Sequence, residues 1–181
     1  MSTLIRRLAG VAAAAALVIA VPVTSAGAAD NGDVRATTAQ AVQADTPPGG
    51  FRTGDDPNSE ELPRAPKDGG VKAAAWYYHI NASCGGRESQ IRQGANFWGG
   101  GVETASSGTP VDCTGGYVSG CGSGYVVGCN WGAGDRIMLS TLVSDFALLA
   151  AHEFGHNWYG HSPAGCANWA SAYEVMRPTM C

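Results

Sequence analysis

Apolar and polar positions alternate legibly in three stretches of this chain, all beyond residue 73. Ala75-Trp76-Tyr77-Tyr78-His79-Ile80 is rich in aromatic residues and reads as a strand. Between Glu88 and Trp98, Ile91, Ala95 and Trp98 fall at i, i+4 and i+7 on one face, the spacing of an amphipathic helix. Gly99-Gly100-Gly101 ends it. Arg136-Ile137-Met138-Leu139 predicts a strand that leads directly into a second helix. That helix begins at Asp145 or a few residues earlier, with Ser144 and Asp145, or alternatively Ser140, as caps. Leu142, Phe146, Leu149 and Ala150 supply an apolar stripe, which predicts packing against the sheet. The helix is expected to end near Tyr159, with Gly160 as a left-handed cap. Residues 105–134 are rich in Gly, Ser and Cys, with short apolar runs that predict short strands and tight turns. Those glycines lack the strand–Gly-x-Gly-x-x-Gly–helix order of a phosphate-binding loop, and no internal repeat is visible.

Ahead of residue 74 the composition changes twice. Residues 1–29 have a basic start at Arg6 and Arg7, an apolar run from Leu8 to Val23 and the small residues Ala26-Gly27-Ala28. This is the pattern of a cleaved signal peptide and predicts a secreted, extracellular protein. Residues 30–73 are dominated by Asp, Gly, Pro, Ala and Thr, with little at any fixed period to bury. They are expected to be a disordered pro-segment or linker, leaving 74–181 as the ordered domain. No second long apolar run follows, so no membrane association is expected after cleavage of the leader.

Composition narrows the partners. The net charge of −4 is mild and the basic residues are scattered, so nucleic acid is not expected as a partner, and the chain reads as a monomer. All six cysteines lie at or beyond Cys84, and an even number in an exported chain predicts disulfides. A cysteine-ligated metal is disfavoured because no Cys-x2-Cys pair occurs. With no cysteine before Cys84, residues 30–73 have no thiolate to present to a metal.

The chemistry concentrates at His152-Glu153-Phe154-Gly155-His156, where three of the four histidines of the chain lie within ten residues. Positions i and i+4 stack on one helix face, so His152 and His156 can reach the same ion, and imidazole nitrogen suits zinc. One zinc ion is the expected cofactor. Glu153, one step round the helix, can reach a zinc-bound water without entering the metal shell. The metal would lower the pKa of that water towards about 7, and Glu153 would act as general base and then as general acid. A catalytic zinc needs a third protein ligand. His161 is the first candidate, because Gly160 lets the chain turn back, and Glu174 is the second. Asp145 reads as a helix cap, and His79 as a strand residue near a substrate cleft.

The run His152-Glu153-Phe154-Gly155-His156-Asn157-Trp158-Tyr159-Gly160-His161 resembles the extended zinc motif of the metzincin peptidases, His-Glu-x-x-His-x-x-Gly-x-x-His/Asp. Among these it is most similar to the snapalysin-like group of small secreted bacterial neutral proteases. The likeness continues in Ala151, in the upstream helix ending at Trp98, and in Met176 within Tyr173-Glu174-Val175-Met176-Arg177-Pro178. The resemblance implies an α+β domain, a twisted mixed sheet packed on an active-site helix and stapled by disulfides, with a methionine turn at Met176 enclosed by Cys166–Cys181. Pairing among Cys84, Cys113, Cys121 and Cys129 retains three solutions. The implied activity is endopeptidase cleavage of protein or peptide substrates, with the substrate extended along the strand before the motif helix, here Arg136–Ser140. The chain departs from the pattern in one place: Gly160 and His161 stand four and five residues after His156, where the family has three and six, and Ser162 occupies the family's ligand position. A Glu174 ligand would resemble the thermolysin-like group instead. The competing reading is a secreted, disulfide-stapled binding module with a structural or inactive metal site. The shifted Gly160 and His161 favour it, and Glu153 argues against it, because a structural zinc has no use for a general base.

Overall fold

The computed structural model describes residues 46–55, 62–67 and 74–181. The expected leader, residues 1–29, and much of the 30–73 stretch lie outside the described residues. In chain order the strands are β1 (Phe51–Asp55), β2 (Trp76–Ile80), β3 (Gly101–Glu103), β4 (Thr109–Thr114), β5 (Val126–Trp131), β6 (Arg136–Ser140) and β7 (Thr179–Met180). The helices are α1 (Glu88–Trp98), α2 (Phe146–Gly155) and the single turn α3 (Ala172–Val175). The strands form one sheet in the order β3-β2-β4-β6-β5-β1-β7. The first four of that order run parallel, β5 runs antiparallel to β6, β1 parallel to β5, and β7 antiparallel to β1. The architecture is therefore α+β with a mixed sheet. Among the described residues no helix is long and apolar enough to cross a membrane.

Two expectations are corrected by this sheet. Residues 51–55 were expected to be disordered, yet they form β1, paired on both edges, with Phe51 and Thr53 buried. Residues 62–67 are also placed, with Ala65 buried and Arg64 bridged to Gly160. A strand held by backbone hydrogen bonds on both sides needs few apolar side chains, so a composition argument underestimates it. The second correction concerns Arg136–Ser140. This strand, β6, lies between β4 and β5 and offers no edge to a substrate. The strand nearest α2 with an edge not used by β6 is β5, and β1 lies along that edge.

Alternation along the strands divides the core. Tyr78, Val111, Val127, Ile137 and Leu139 join Ile91, Trp98, Phe146 and Phe154 in the main core on the helix side. Val126 and Cys129, with Met138 and Trp131 against them, face a smaller cluster containing Val118 and Cys121. Along β5 the alternation slips once. Arg52 pairs with Val126 but Thr53 with Gly128, leaving Val127 as an additional residue. Val127 and Gly128 therefore both face α2, the effect a β-bulge has on the direction of neighbouring side chains. The disulfides are Cys84–Cys113, Cys121–Cys129 and Cys166–Cys181. The first ties the turn before α1 to β4, and the second holds the glycine-rich loop over the smaller cluster.

The helices follow their sequence patterns to different degrees. α1 has the expected bounds and buries Ile91, Gly94, Ala95 and Trp98. α2 starts where expected, with the Asp145 carboxylate accepting from the Leu148 N–H at 2.9 Å. All ten of its residues are buried, however, rather than one stripe, because α1 covers the side turned away from β5 and β6. Its end is also corrected. The helix stops at Gly155 rather than near Tyr159, and Gly160 does not take up a positive φ. The amides of His156, Asn157 and Trp158 bond to carbonyls three residues back, so the last turn tightens. The Asn130 side chain donates to the Glu153 carbonyl at 2.7 Å and to Asn157 Oδ1 at 2.7 Å, holding the tightened turn against β5.

Candidate metal centre

Shortening α2 turns the chain back early enough for His161 to meet the two helical histidines. The Nε2 atoms of His152 and His156 are 3.1 Å apart, as are those of His152 and His161. All three ligand atoms lie within 4.8 Å of one another, a group that could hold a metal ion. His152 is fully buried, His156 nearly so and His161 partly.

The outward nitrogens explain why the inward ones converge. His152 Nδ1 donates to the Val175 carbonyl at 2.7 Å, and His156 Nδ1 to the Tyr159 carbonyl at 2.9 Å. A carbonyl only accepts, so each Nδ1 carries the ring proton and each Nε2 keeps its lone pair for the centre. Burial, reinforced by the neighbouring His156 and His161, holds the His152 pKa well below its ordinary value, so this ring is neutral. A neutral His152 ring that turns its Nε2 towards those of His156 and His161, each within a few ångströms, fits a cation at the point where the three converge.

The floor of the centre comes from the segment around α3. Val175 supplies the carbonyl to His152, and the Met176 carbonyl accepts from the Ser162 N–H at 2.9 Å, anchoring the residue after His161. Met176 is fully buried with its sulfur against Gly155; a Cβ there would stand 2.2 Å from Sδ. The Cys166–Cys181 bridge encloses this segment. Ser162, which follows His161, is buried. Glu174 points elsewhere: Arg177 binds its carboxylate at 2.5 and 2.9 Å and Asn168 at 3.0 Å. Its pKa is lowered chiefly by the Arg177 hydrogen bond. The alternative of Glu174 as third ligand is corrected accordingly. His79 lies outside the group, with Nδ1 3.3 Å from the Ser107 carbonyl.

Glu153 is fully buried on α2, directly over β5. Its carboxylate lies where residue 128 has no side chain: a Cβ on Gly128 would stand 2.1 Å from Oε1. An isolated glycine in a strand marks either a bulge or a close approach, and here it marks both. That signal is present in Val126-Val127-Gly128-Cys129-Asn130, but its target cannot be read from sequence. Asn130 was missed for the same reason. Thr53 was missed because it lies in the stretch expected to be disordered; its hydroxyl is 3.0 Å from His161 Nε2 and donates to the Pro178 carbonyl at 3.2 Å. No family model and no curated protein matches this chain.

Proposed function

We propose that the chain is a secreted, zinc-dependent endopeptidase of the metzincin, snapalysin-like kind, with His152, His156 and His161 as zinc ligands and Glu153 as general base and acid. The observation that carries this reading is the convergence of three imidazole Nε2 atoms beside a buried glutamate on the same helix. Four protein ligands are the rule for structural zinc, whereas catalytic zinc keeps three and an open position. The described residues supply three. A tetrahedral ion with bonds of about 2.0–2.1 Å has ligand–ligand edges of about 3.3 Å, close to the 3.1 Å that separates His152 Nε2 from each of the other two, the whole group lying within 4.8 Å. When bound, zinc would supply Lewis acidity towards the scissile carbonyl and increase the acidity of water.

The residues of the chain do the rest. Val175 and Tyr159 fix the ring orientations of His152 and His156 through their carbonyls. Gly128 leaves room for the Glu153 carboxylate, which takes a proton from the attacking water and returns it to the leaving amine. The main core beneath α2 excludes solvent from the inner side of Glu153 and His152, so the proton passes between a few fixed partners. Three disulfides suit an oxidising compartment and support the secreted assignment.

Metal analysis together with peptide hydrolysis tests this reading. The purified chain is expected to hold one zinc per molecule and to lose proteolysis on chelation. His156→Ala should lose both metal and activity, and Glu153→Ala should keep the metal while turnover falls by roughly 10²–10⁴-fold. Full zinc loading without cleavage of casein or of a peptide library would favour the binding-module alternative.

A further inference from the structure

We propose that Asn130 is a positioning residue for the metal centre: it ends α2 at the point from which His161 can join His152 and His156. The inference rests on the metal-binding reading of the three histidines. Asn130 is buried on β5, two residues beyond Gly128, so both face α2. Both also meet Glu153. Gly128 leaves room for its carboxylate, and Asn130 Nδ2 donates to its main-chain carbonyl at 2.7 Å. The same nitrogen donates to Asn157 Oδ1 at 2.7 Å, and Asn130 Oδ1 accepts from the Gly134 N–H at 2.7 Å. A carbonyl only accepts and a main-chain N–H only donates, so the orientation of this side chain is fixed and both of its hydrogens are used.

What those bonds replace is the continuation of the helix. An α-helix that ran on would offer the Glu153 carbonyl to the Asn157 amide. Instead the Asn157 N–H bonds to the Phe154 carbonyl at 3.1 Å, the Trp158 N–H to the Gly155 carbonyl at 3.0 Å, and Asn130 takes a place at the Glu153 carbonyl. The consequence reaches two of the histidines. The tightened turn brings the Tyr159 carbonyl to His156 Nδ1, at 2.9 Å, and that bond turns Nε2 towards the centre. It also lets the chain double back soon after His156, which sets His161 Nε2 3.1 Å from that of His152. The anchor itself is held from the far side. Gly134 belongs to the turn between β5 and β6, and its carbonyl accepts from the Thr109 hydroxyl at 2.7 Å. A Cβ on Gly134 would stand 3.0 Å from Asn157 Oδ1, so the turn, Asn130 and the end of α2 pack as one unit. An amide buried among three polar partners carries a desolvation cost that apolar packing would avoid.

The test is a double-mutant cycle on zinc affinity, measured for the full chain by competition with a chromophoric chelator. Asn130→Ala should weaken zinc binding roughly 10–100-fold, as loss of a residue behind the ligands does. His161→Ala should weaken it by about a hundredfold in the wild type but by less than about threefold in Asn130→Ala, where the histidine is already out of place. Additive losses overturn the proposal, since His161 then binds without Asn130, and so does an unchanged zinc affinity of Asn130→Ala. Val111→Ala, in the main core on β4, is the control for a merely structural effect. It should lower the urea midpoint while the factor for His161→Ala stays as in the wild type. If that factor collapses here too, general loosening explains the result and the proposal fails. If Asn130→Ala does not fold, Asn157→Ala takes its place in the cycle, removing one partner of the amide at a half-buried position. The His161→Ala factor should then shrink by roughly threefold or more, and an unchanged factor overturns the proposal. Zinc binding that His152→Ala leaves untouched would instead sink the metal-binding reading, and the inference with it.

Discussion

The two long helices pack against each other yet follow different rules. α1 buries four of its eleven residues, in the period expected of a helix with one wet face. α2 buries all ten, and two of them, His152 and Glu153, are polar side chains with no exposure. Burying such groups costs stability, so their presence inside α2 reflects what the helix carries rather than what holds it. α1 provides the support. Gly94 lets it approach α2 at Ala151, and Trp98 Nε1 donates to the Ala151 carbonyl at 2.6 Å. Both contacts fall on the residue preceding His152. The helix that is easy to read therefore positions the one that carries His152, Glu153 and the start of the histidine group.

The largest expected effect comes from breaking that approach. A Cβ on Gly94 would stand 2.6 Å from the Ala151 nitrogen and 2.9 Å from the Ala147 carbonyl oxygen, backbone atoms that cannot swing aside. Gly94→Val should cost about 3 kcal/mol or more by urea denaturation, and metal binding should weaken with it. Gln93→Ala, on the exposed face of α1, should stay within about 0.5 kcal/mol. Similar losses for the two variants would mean that α1 does not position α2 as described.

A middle-sized effect tests the α2 side. Gly128→Ala places a methyl group where the Glu153 carboxylate lies, so the carboxylate must move while the three histidines keep their places. We expect kcat/KM to fall roughly tenfold to a hundredfold, since a misplacement of about 1 Å can cost that much. Zinc content should be unchanged. Loss of metal along with activity would show that Gly128 supports the fold around the histidines rather than the glutamate alone.

The same contrast explains what could be read before the fold was known. α1 was legible because its apolar positions repeat along one face, and the His152–Glu153–His156 spacing was legible because ligand geometry on a helix depends on local sequence alone. The end of α2 was not, because Asn130, more than twenty residues upstream, holds the turn that stops it. His161 was legible as first candidate for the third position, because Gly160 marks a turn after the helix, and the structure does group it with His152 and His156. β6 was recognised as a strand but misplaced as an edge, since periodicity says nothing of neighbour order. β1 was missed altogether: one phenylalanine and one threonine are buried by partners about 75 and 125 residues away in sequence, a long-range pairing that leaves no mark on local composition.

The smallest effect lies on the outer face of α1. Arg92 binds the Glu103 carboxylate at 2.6 and 2.9 Å, tying that face to the edge strand β3. The Arg92 hydrogen bond lowers the Glu103 pKa below its ordinary value, with burial acting in the opposite direction. The sign follows from linkage. A carboxylate whose pKa is lower in the folded state contributes stability above the unfolded value, about 4.3 for glutamate, and that contribution is lost as the pH falls through the folded value. Urea midpoints of the wild type and Glu103→Gln should therefore differ slightly at pH 7 and converge as the pH falls below about 4. Because both side chains are well exposed, the difference at pH 7 should also shrink in 1 M salt. A difference as large as that of Gly94→Val would place structural support on both faces of α1, and the contrast between its inner and outer sides would be lost.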